Sequence, residues 1–298
     1  MFVNPASLQA LSTGLKRDFL NGLSRAATLY GQIAMTVNST NASEVYPVLG
    51  RFPGLREWIG PRIIEELAAS DFEIKNKSFS GGIRIPRPNI EDDNFGIFST
   101  QSEMLGDAAS RFPDKLIFQL LEAGFTALCM DGKTFFATDH PDGQGGTYSN
   151  KGTTALSSTS YATARATMMA YKDDVGESLD INPDLLVVPP GLQETALNII
   201  NADIIPNSGG TASQSNVWKG SARVLVVPRL TDSNDWYLLD TSKVLKPFIW
   251  QSRKAPQMVA KTNLTDDNVF MYDEFLWGVD LRGNAGYGLP QLAFGAHV

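Results

Sequence analysis

The stretch "TQSEMLGDAASRFPDKLIFQLLEAGFTALC", residues 100–129, decides how the rest of the chain is read. Thr100 and Glu103 have the spacing of a capping box, in which two side chains and two backbone amides satisfy one another at a helix start. Met104, Leu105, Ala108, Ala109 and Phe112 then keep helical phase, and after "PDK" the stripe resumes with Leu116, Ile117, Leu120, Leu121, Phe125 and Leu128. Pro113 lacks an amide donor and crowds the preceding turn, so it should kink or divide the helix. A helical path from Thr100 to Cys129 would run roughly 40 Å at about 1.5 Å per residue. That is long for a globular domain and suits a structural spine.

Upstream of the spine, "NPASLQALSTGLKRDFLNGL" offers Asn4 as N-cap and Pro5 at the first helical position. Leu8, Leu11, Leu15, Phe19 and Leu23 form one apolar stripe. Two readings fit it: a helix packed on its own core, or an arm docked on a neighbouring subunit. Residues 45–94 are punctuated by Gly and Pro, which rules out one long helix. Phe72, Ile74, Phe79, Ile83 and Ile85 alternate with polar residues, as in partly exposed strands. Phe52, Trp58 and Ile59 sit among Arg51, Arg56 and Glu57. Aromatic and Arg residues are favoured at interfaces, so a segment lying across another molecule and a hairpin packed on its own domain both fit.

Downstream, "DGQGGTYSNKGTTALSSTS" reads as a polar loop, with 142–154 as a candidate disordered tract. "SYATARATMMAYKDDVG" and "GLQETALNIINAD" read as helices, and "PDLLVVPP", "SARVLVVPRL" and "DWYLLD" as strands. In "NVFMYDEFLWGVDLRG", Phe275, Trp277, Val279 and Leu281 share one strand face at period two, and the chain should then turn through "RGNAGYG".

The charge and cysteine content narrow the function classes. A net charge of −7 argues against general affinity for a phosphate backbone, which calls for clustered Lys and Arg. The single cysteine cannot form an internal disulfide, which fits a reducing compartment. Apolar runs such as "LLVV" at 185–188 are too short to cross a bilayer, and "MFVNPASLQA" lacks the pattern of a secretory signal.

Only "CMDGKTFFATDHPDG", residues 129–143, clusters chemistry-bearing residues: Cys129, Asp131, Asp139, His140 and Asp142. The chain has two histidines, His140 and His297, so a three-His zinc site is impossible. A Cys–His nucleophile pair would need Cys129 and His140 within hydrogen-bond reach, yet Cys129 continues the apolar stripe and reads as a buried small hydrophobe. No G-x-S-x-G elbow occurs. "DGKTFF" and "DHPDG" read as turns, with Asp131-Gly132 feeding an extended aromatic segment. "GNAGYG" lies between strand-like segments and does not cradle a phosphate. "EDDN" at 91–94 and "TDDN" at 265–268 lack the alternating ligands of a calcium loop. No catalytic residue, metal ligand or cofactor site is therefore expected.

The ordered set "NPASLQAL", "IAMTVNST", "LGRFPGLREWIG", "FEIKNKSFSGGIRI", "EDDNFGIF", "PDKLIFQLLEAGFTALCMDGKTFF…HP", "LLVVPPGLQETALNII", "KPFIWQSRKAPQMVAKT", "DDNVFMYDEFLWG" and "RGNAGYG" resembles the major head subunits of Mu-type tailed phages and prophages. That family is a branch of the Hong Kong 97 (HK97-like) capsid fold, and the resemblance covers nearly the whole chain. It implies an α+β fold with an N-terminal arm (1–40), an extended loop region (41–97), a peripheral domain with a spine helix (98–177) and an axial domain (178–245). Residues 246–298 would return to the peripheral domain. The implied function is mechanical: a homo-oligomer of hexamers and pentamers tiling an icosahedral virion shell around double-stranded DNA, without sequence-specific binding. Implied partners are a scaffold or protease, a portal and head-decoration proteins, with assembly in the host cytoplasm. The inter-subunit contact candidates are Leu8, Leu11, Leu15, Phe52, Arg56, Trp58, Lys75 and Lys77. Some members of the wider fold lock their shells with a Lys–Asn isopeptide bond, and Lys75-Asn76-Lys77 lies where such a lysine would be needed. An encapsulin-like compartment, or a soluble hydrolase using His140 and nearby carboxylates, are the rival readings.

Overall fold

The computed structural model describes residues 3–47, 71–92, 95–142, 144–173, 176–206 and 213–298. Its helices are α1 (Pro5–Arg25), α2 (Tyr30–Ile33), α3 (Arg87–Glu91), α4 (Phe95–Ser110), α5 (Phe112–Ala123), α6 (Ser158–Met169), α7 (Gln193–Asn201) and α8 (Asp267–Tyr272). The first strands are β1 (Ala34–Asn38), β2 (Ser43–Pro47), β3 (Asp71–Lys75), β4 (Lys77–Pro86), β5 (His140–Pro141), β6 (Thr147–Tyr148) and β7 (Lys151–Gly152). They are followed by β8 (Leu185–Val188), β9 (Ile204–Pro206), β10 (Ser213–Ser215), β11 (Arg223–Val226), β12 (Trp236–Leu239), β13 (Phe248–Lys261), β14 (Glu274–Tyr287) and β15 (Ala293–Ala296).

Two sheets organise these elements. A four-stranded sheet runs β1-β13-β14-β4, with β1 parallel to β13 and the other pairs antiparallel. A five-stranded sheet runs β11-β8-β12-β15-β7 and mixes parallel and antiparallel neighbours. The apolar period of β14 buries Phe275, Trp277, Val279 and Leu281 on one face, as period two requires. Phe275, Trp277 and Val279 join Leu8, Leu11, Leu15 and Phe19 of α1 in one core. A second core gathers Ile117, Phe118 and Leu121 of α5 with Phe135, Phe136, Phe248 and Trp250. A third packs α6 and α7 on the five-stranded sheet through Tyr161, Met168, Ile200, Val188 and Trp236.

The N-terminal helix begins as its sequence dictates. Asn4 caps it reciprocally with Ser7, and Pro5 occupies the first turn, where a missing amide costs nothing. Its stripe lies on its own chain. Leu8, Leu11 and Leu15 are 2%, 8% and 2% exposed, so in this conformation they form intramolecular core and are not free to contact a neighbour.

The spine differs from the sequence reading in three respects. It starts at Phe95, and the expected Thr100–Glu103 box does not form. Thr100 Oγ1 instead donates to the Gly96 carbonyl inside the helix, while Glu103 pairs with Arg25 of α1. The helix divides at Arg111, as Pro113 in the first turn of α5 led one to expect, but it ends at Ala123 rather than Cys129. The buried face of α4 is also rotated from the expected stripe: Phe98, Ser102, Gly106 and Ala109 face inward, while Met104 is 66% exposed. The cause is the close crossing with α1. A methyl on Gly22 would lie 2.0 Å from the Glu103 carbonyl oxygen, and one on Gly106 would lie 2.1 Å from that of Phe19. Ser102 Oγ donates to the Leu15 carbonyl at 2.6 Å across the same contact. At the crossing itself small residues, Ser102 and Gly106, set this face.

Three other segments depart from expectation. The 142–154 tract holds two short strand pairings, and Asn150 within it is fully buried. Its side chain accepts from Ala137 N and donates to the carbonyls of Phe135 and Pro290. "RGNAGYG" is no turn: residues through Tyr287 continue β14 in register with β13. Gly286 is needed there because a methyl would lie 2.2 Å from the Ile74 side chain. Residues 268–272 are helical rather than extended, and Asp273, at φ 51°, closes α8 before β14 begins.

Gly106→Ala should therefore destabilise the subunit by about 1–3 kcal/mol, the usual cost of overpacking. A lowered urea midpoint at unchanged slope would show it, and a wild-type midpoint would contradict the close crossing.

Candidate functional site

The chemistry-bearing segment folds as a knot beyond the end of α5. Gly124 lies against the Phe136 ring, and the chain turns back so that Cys129 N donates to Lys133 O at 2.7 Å. Gly132 takes φ 77° at the tip, the left-handed conformation that a turn here demands. The next segment sends Phe135 and Phe136 into the core, both fully buried. His140 opens the β5–β6 hairpin, whose loop Asp142 holds by accepting from the amides of Gln144 and Gly146.

This path brings three of the singled-out residues together. His140 Nδ1 lies 2.5 Å from Asp131 Oδ2, and Cys129 Sγ donates to Asp131 Oδ1 at 3.0 Å. His140 Nε2 faces the Phe135 carbonyl at 3.2 Å, and its ring stacks on Tyr148 with centroids 5.0 Å apart. His140 is fully buried. Asp139 is not part of the group; it pairs with Lys133 on the surface.

The electrostatics favour a structural role. Burial, seconded by the Asp131 hydrogen bond, pushes the Cys129 thiol up to about 12, so it carries its proton at neutral pH. Burial also works to raise Asp131, but hydrogen bonds from His140, Cys129 and the Lys133 amide outweigh it and hold the carboxyl at about 2. Burial drives the Tyr148 hydroxyl far above its ordinary range. Cys129 and His140 both bond to Asp131 rather than to each other, so the relay of a nucleophile and its base is not assembled. The three ligand atoms lie within 4.8 Å of one another, close enough for a metal, as do those of Asp232, Asp235 and His297. In both groups the carboxylate is already engaged: His297 Nδ1 sits 2.9 Å from Asp235 Oδ2.

The assembly candidates separate differently. Phe52, Arg56 and Trp58 lie outside the described residues. Lys75 is exposed and lies 3.5 Å from the Glu73 carboxylate, and Lys77 is exposed at the start of β4. Asn76 between them is tied down, donating to Ser39 Oγ and the Asn41 carbonyl, both at 2.8 Å. The antiparallel pair β2–β3, which flanks residues 48–70, is anchored on the four-stranded sheet by a residue that sequence reasoning passed over. Gln251 is fully buried. It accepts from Tyr46 Oη at 2.9 Å and donates to the Ile74 carbonyl at 3.0 Å and to Asn76 Oδ1 at 2.9 Å. A lone glutamine after "FIW" was the available signal, since a polar residue ending a buried apolar run needs partners.

Residues 8–155, 150–230 and 231–298 match the family described as the Mu-like prophage major head subunit gpT. The chain belongs to that family. It is 35% identical over 293 residues to the major capsid protein of Escherichia phage Mu, covering 98% of this chain and 74% of that protein. It is 36% identical over 291 residues to the Mu-like prophage FluMu major head subunit of Haemophilus influenzae, covering 98% and 73%. Among solved structures it is similar to the procapsid of bacteriophage JBD30, with TM-score 0.63 and 33% identity over 99% of this chain and 76% of that one. This Mu-like head subunit therefore has the α+β, HK97-like capsid fold that the resemblance implied.

The knot makes a pH prediction. Asp131 has a depressed pKa in the folded state, so it adds stability above the ordinary carboxylate value of 3.8, lost as pH falls toward about 2. Asp131→Asn should cost about 3 kcal/mol at neutral pH, because it strips the partner from a buried imidazole. It should also flatten the acid limb of the stability profile between pH ~4 and ~2, as chemical denaturation across that range would measure.

Proposed function

We propose that this head subunit assembles into hexamers and pentamers that tile an icosahedral shell around double-stranded DNA. The membership of the full chain in a head-subunit family carries the reading. The structure supports it with a long spine, a long hairpin and a loop base pinned by Gln251, parts suited to many moderate contacts rather than one deep pocket. A standard interface buries on the order of 1,600 Å², and a subunit held by several such contacts needs no single dominant site.

In this reading α4 and α5 with the four-stranded sheet form the peripheral domain, and the five-stranded sheet with α6 and α7 forms the core of the axial domain. The strands β2 and β3 carry the extended loop whose residues, including Phe52, Arg56 and Trp58, cross a neighbouring subunit. The acidic balance of the chain keeps packaged DNA from adhering to the wall. Scaffold or protease, portal and head-decoration proteins complete the assembly in the host cytoplasm. The subunit is not an enzyme: the Cys129–Asp131–His140 group fixes the exit of the spine helix.

Negative-stain imaging and light scattering of the purified chain test this directly. Closed particles, or rings of five or six, are expected. A monomer at every concentration, with or without co-expressed head proteins, would refute it. Particles filled with protein cargo and free of nucleic acid would favour the encapsulin-like alternative. Denaturing gels of mature particles should show monomer bands only; a covalent ladder lost in Lys75→Ala or Lys77→Ala would instead assign an isopeptide lock.

A further inference from the structure

At the tip of the β13–β14 hairpin, α8 turns Phe270, Met271 and Tyr272 to solvent, 85%, 65% and 72% exposed. Val259 and Leu264 of the same tip are 57% and 40% exposed. The knob is held in place rather than loosely attached. Val269 is buried in the core beneath it, Asn268 Nδ2 donates to the Glu274 carbonyl at 2.6 Å, and Asp273 N donates to the Val269 carbonyl at 3.0 Å. Three consecutive large apolar side chains, ordered and uncovered, mark a contact surface rather than core. The tip keeps an acidic edge: Glu274 and Asp273 pair with Arg84 and Arg87, while Asp266 and Asp267 stand against Lys261.

The outer face of α1 has the opposite character. Lys16 and Arg17 stand there against Asp18, Arg25 being paired with Glu103 of α4. Arg17 lies 3.2 Å from Asp18, yet its side chain is 74% exposed and open to a second partner. Ala6, Gln9, Ala10, Thr13, Gly14 and Arg17 share one open face of α1 made mainly of small side chains. Leu20, 49% exposed, extends α1 beyond it. Gly14 sits in mid-helix, where glycine weakens the helix. Gly22 and Gly106 are explained by the α1–α4 crossing, but a methyl at Gly14 would meet nothing within 4 Å. The described part of this chain gives no packing reason for that glycine.

Resting on the shell-subunit reading, we propose that the Phe270–Tyr272 knob of one subunit docks on the outer face of α1 of a second copy, with Asp267 facing Lys16 and Arg17. Tip-to-tip contact would instead press like charges together. Because the knob and the α1 face are different surfaces, the contact is heterologous and passes from subunit to subunit, as a tiled surface requires.

Oxidative cross-linking of assembled particles tests it. A variant carrying both Phe270→Cys and Ala10→Cys should give a ladder of covalent oligomers on denaturing gels, while each single variant stays monomeric. Dimers from Phe270→Cys alone, or intact particles without a ladder, would overturn the docking and leave the shell reading standing. A wild-type chain that never forms particles overturns both. Should the cysteine pair disturb folding, Gly14→Leu supplies a second measure. It should match or exceed the wild-type thermal midpoint yet lower the assembled fraction several-fold, and unchanged assembly would count against the proposal. Asp267→Lys should likewise reduce assembly, with recovery on adding Lys16→Glu and Arg17→Glu; no recovery would also overturn it.

Discussion

The antiparallel pairing of Phe248–Lys261 with Glu274–Tyr287 is the contact on which the rest of the subunit depends. One stretch of this hairpin, at Phe275, Trp277 and Val279, receives α1; another, at Phe248, Trp250 and Tyr287, meets α5 and the aromatic pair Phe135–Phe136. Between Phe79 and Pro86, β4 extends the same sheet, and β1 closes its other edge. Its turn carries α8. Sheet, spine and the β2–β3 pair are therefore registered to one another through a single ribbon.

Close approach is the second constraint. Where α1 crosses α4 the backbones come too near for side chains, and where β3 meets β14 the Ile74 side chain fills the space beside Gly286. Gly and Ser occupy those positions because the alternative is a clash with a carbonyl or a neighbouring side chain. Such contacts are short and stiff, which suits a subunit that must transmit position across a shell rather than open around a substrate. The Cys129–Asp131–His140 knot has the same purpose at the far end of the spine: it converts polar groups that resemble a catalytic set into a closed hydrogen-bond network.

Much of the candidate site was legible only as a negative. The sequence placed Cys129, Asp131 and His140 in neighbouring turns but could not bring their atoms together, because contact between residues 131 and 140 depends on how the chain folds back past Phe135 and Phe136. It flagged Gln251 as a polar residue in need of partners but could not name them, since Tyr46, Ile74 and Asn76 lie far away in the chain. The expected stripe through Met104 and Ala108 went astray for a related reason: hydrophobic periodicity finds faces built from large side chains, and α4 buries Ser102 and Gly106 instead.

What the sequence determined by itself were features whose cause is local. Asn4 and Pro5 start a helix, Gly132 permits a left-handed turn, the period-two residues 275–281 make one strand face apolar, and the run at 185–188 makes a fully buried strand. Each follows from backbone sterics or from the removal of adjacent side chains from water. Tertiary structure alone decided that α1 packs on its own subunit, that 282–287 prolong a strand instead of turning, and that Phe270, Met271 and Tyr272 point outward. In each case the deciding energy belongs to a pairing between distant segments: a helix crossing, a register or an uncovered face exists only once the second partner is in place.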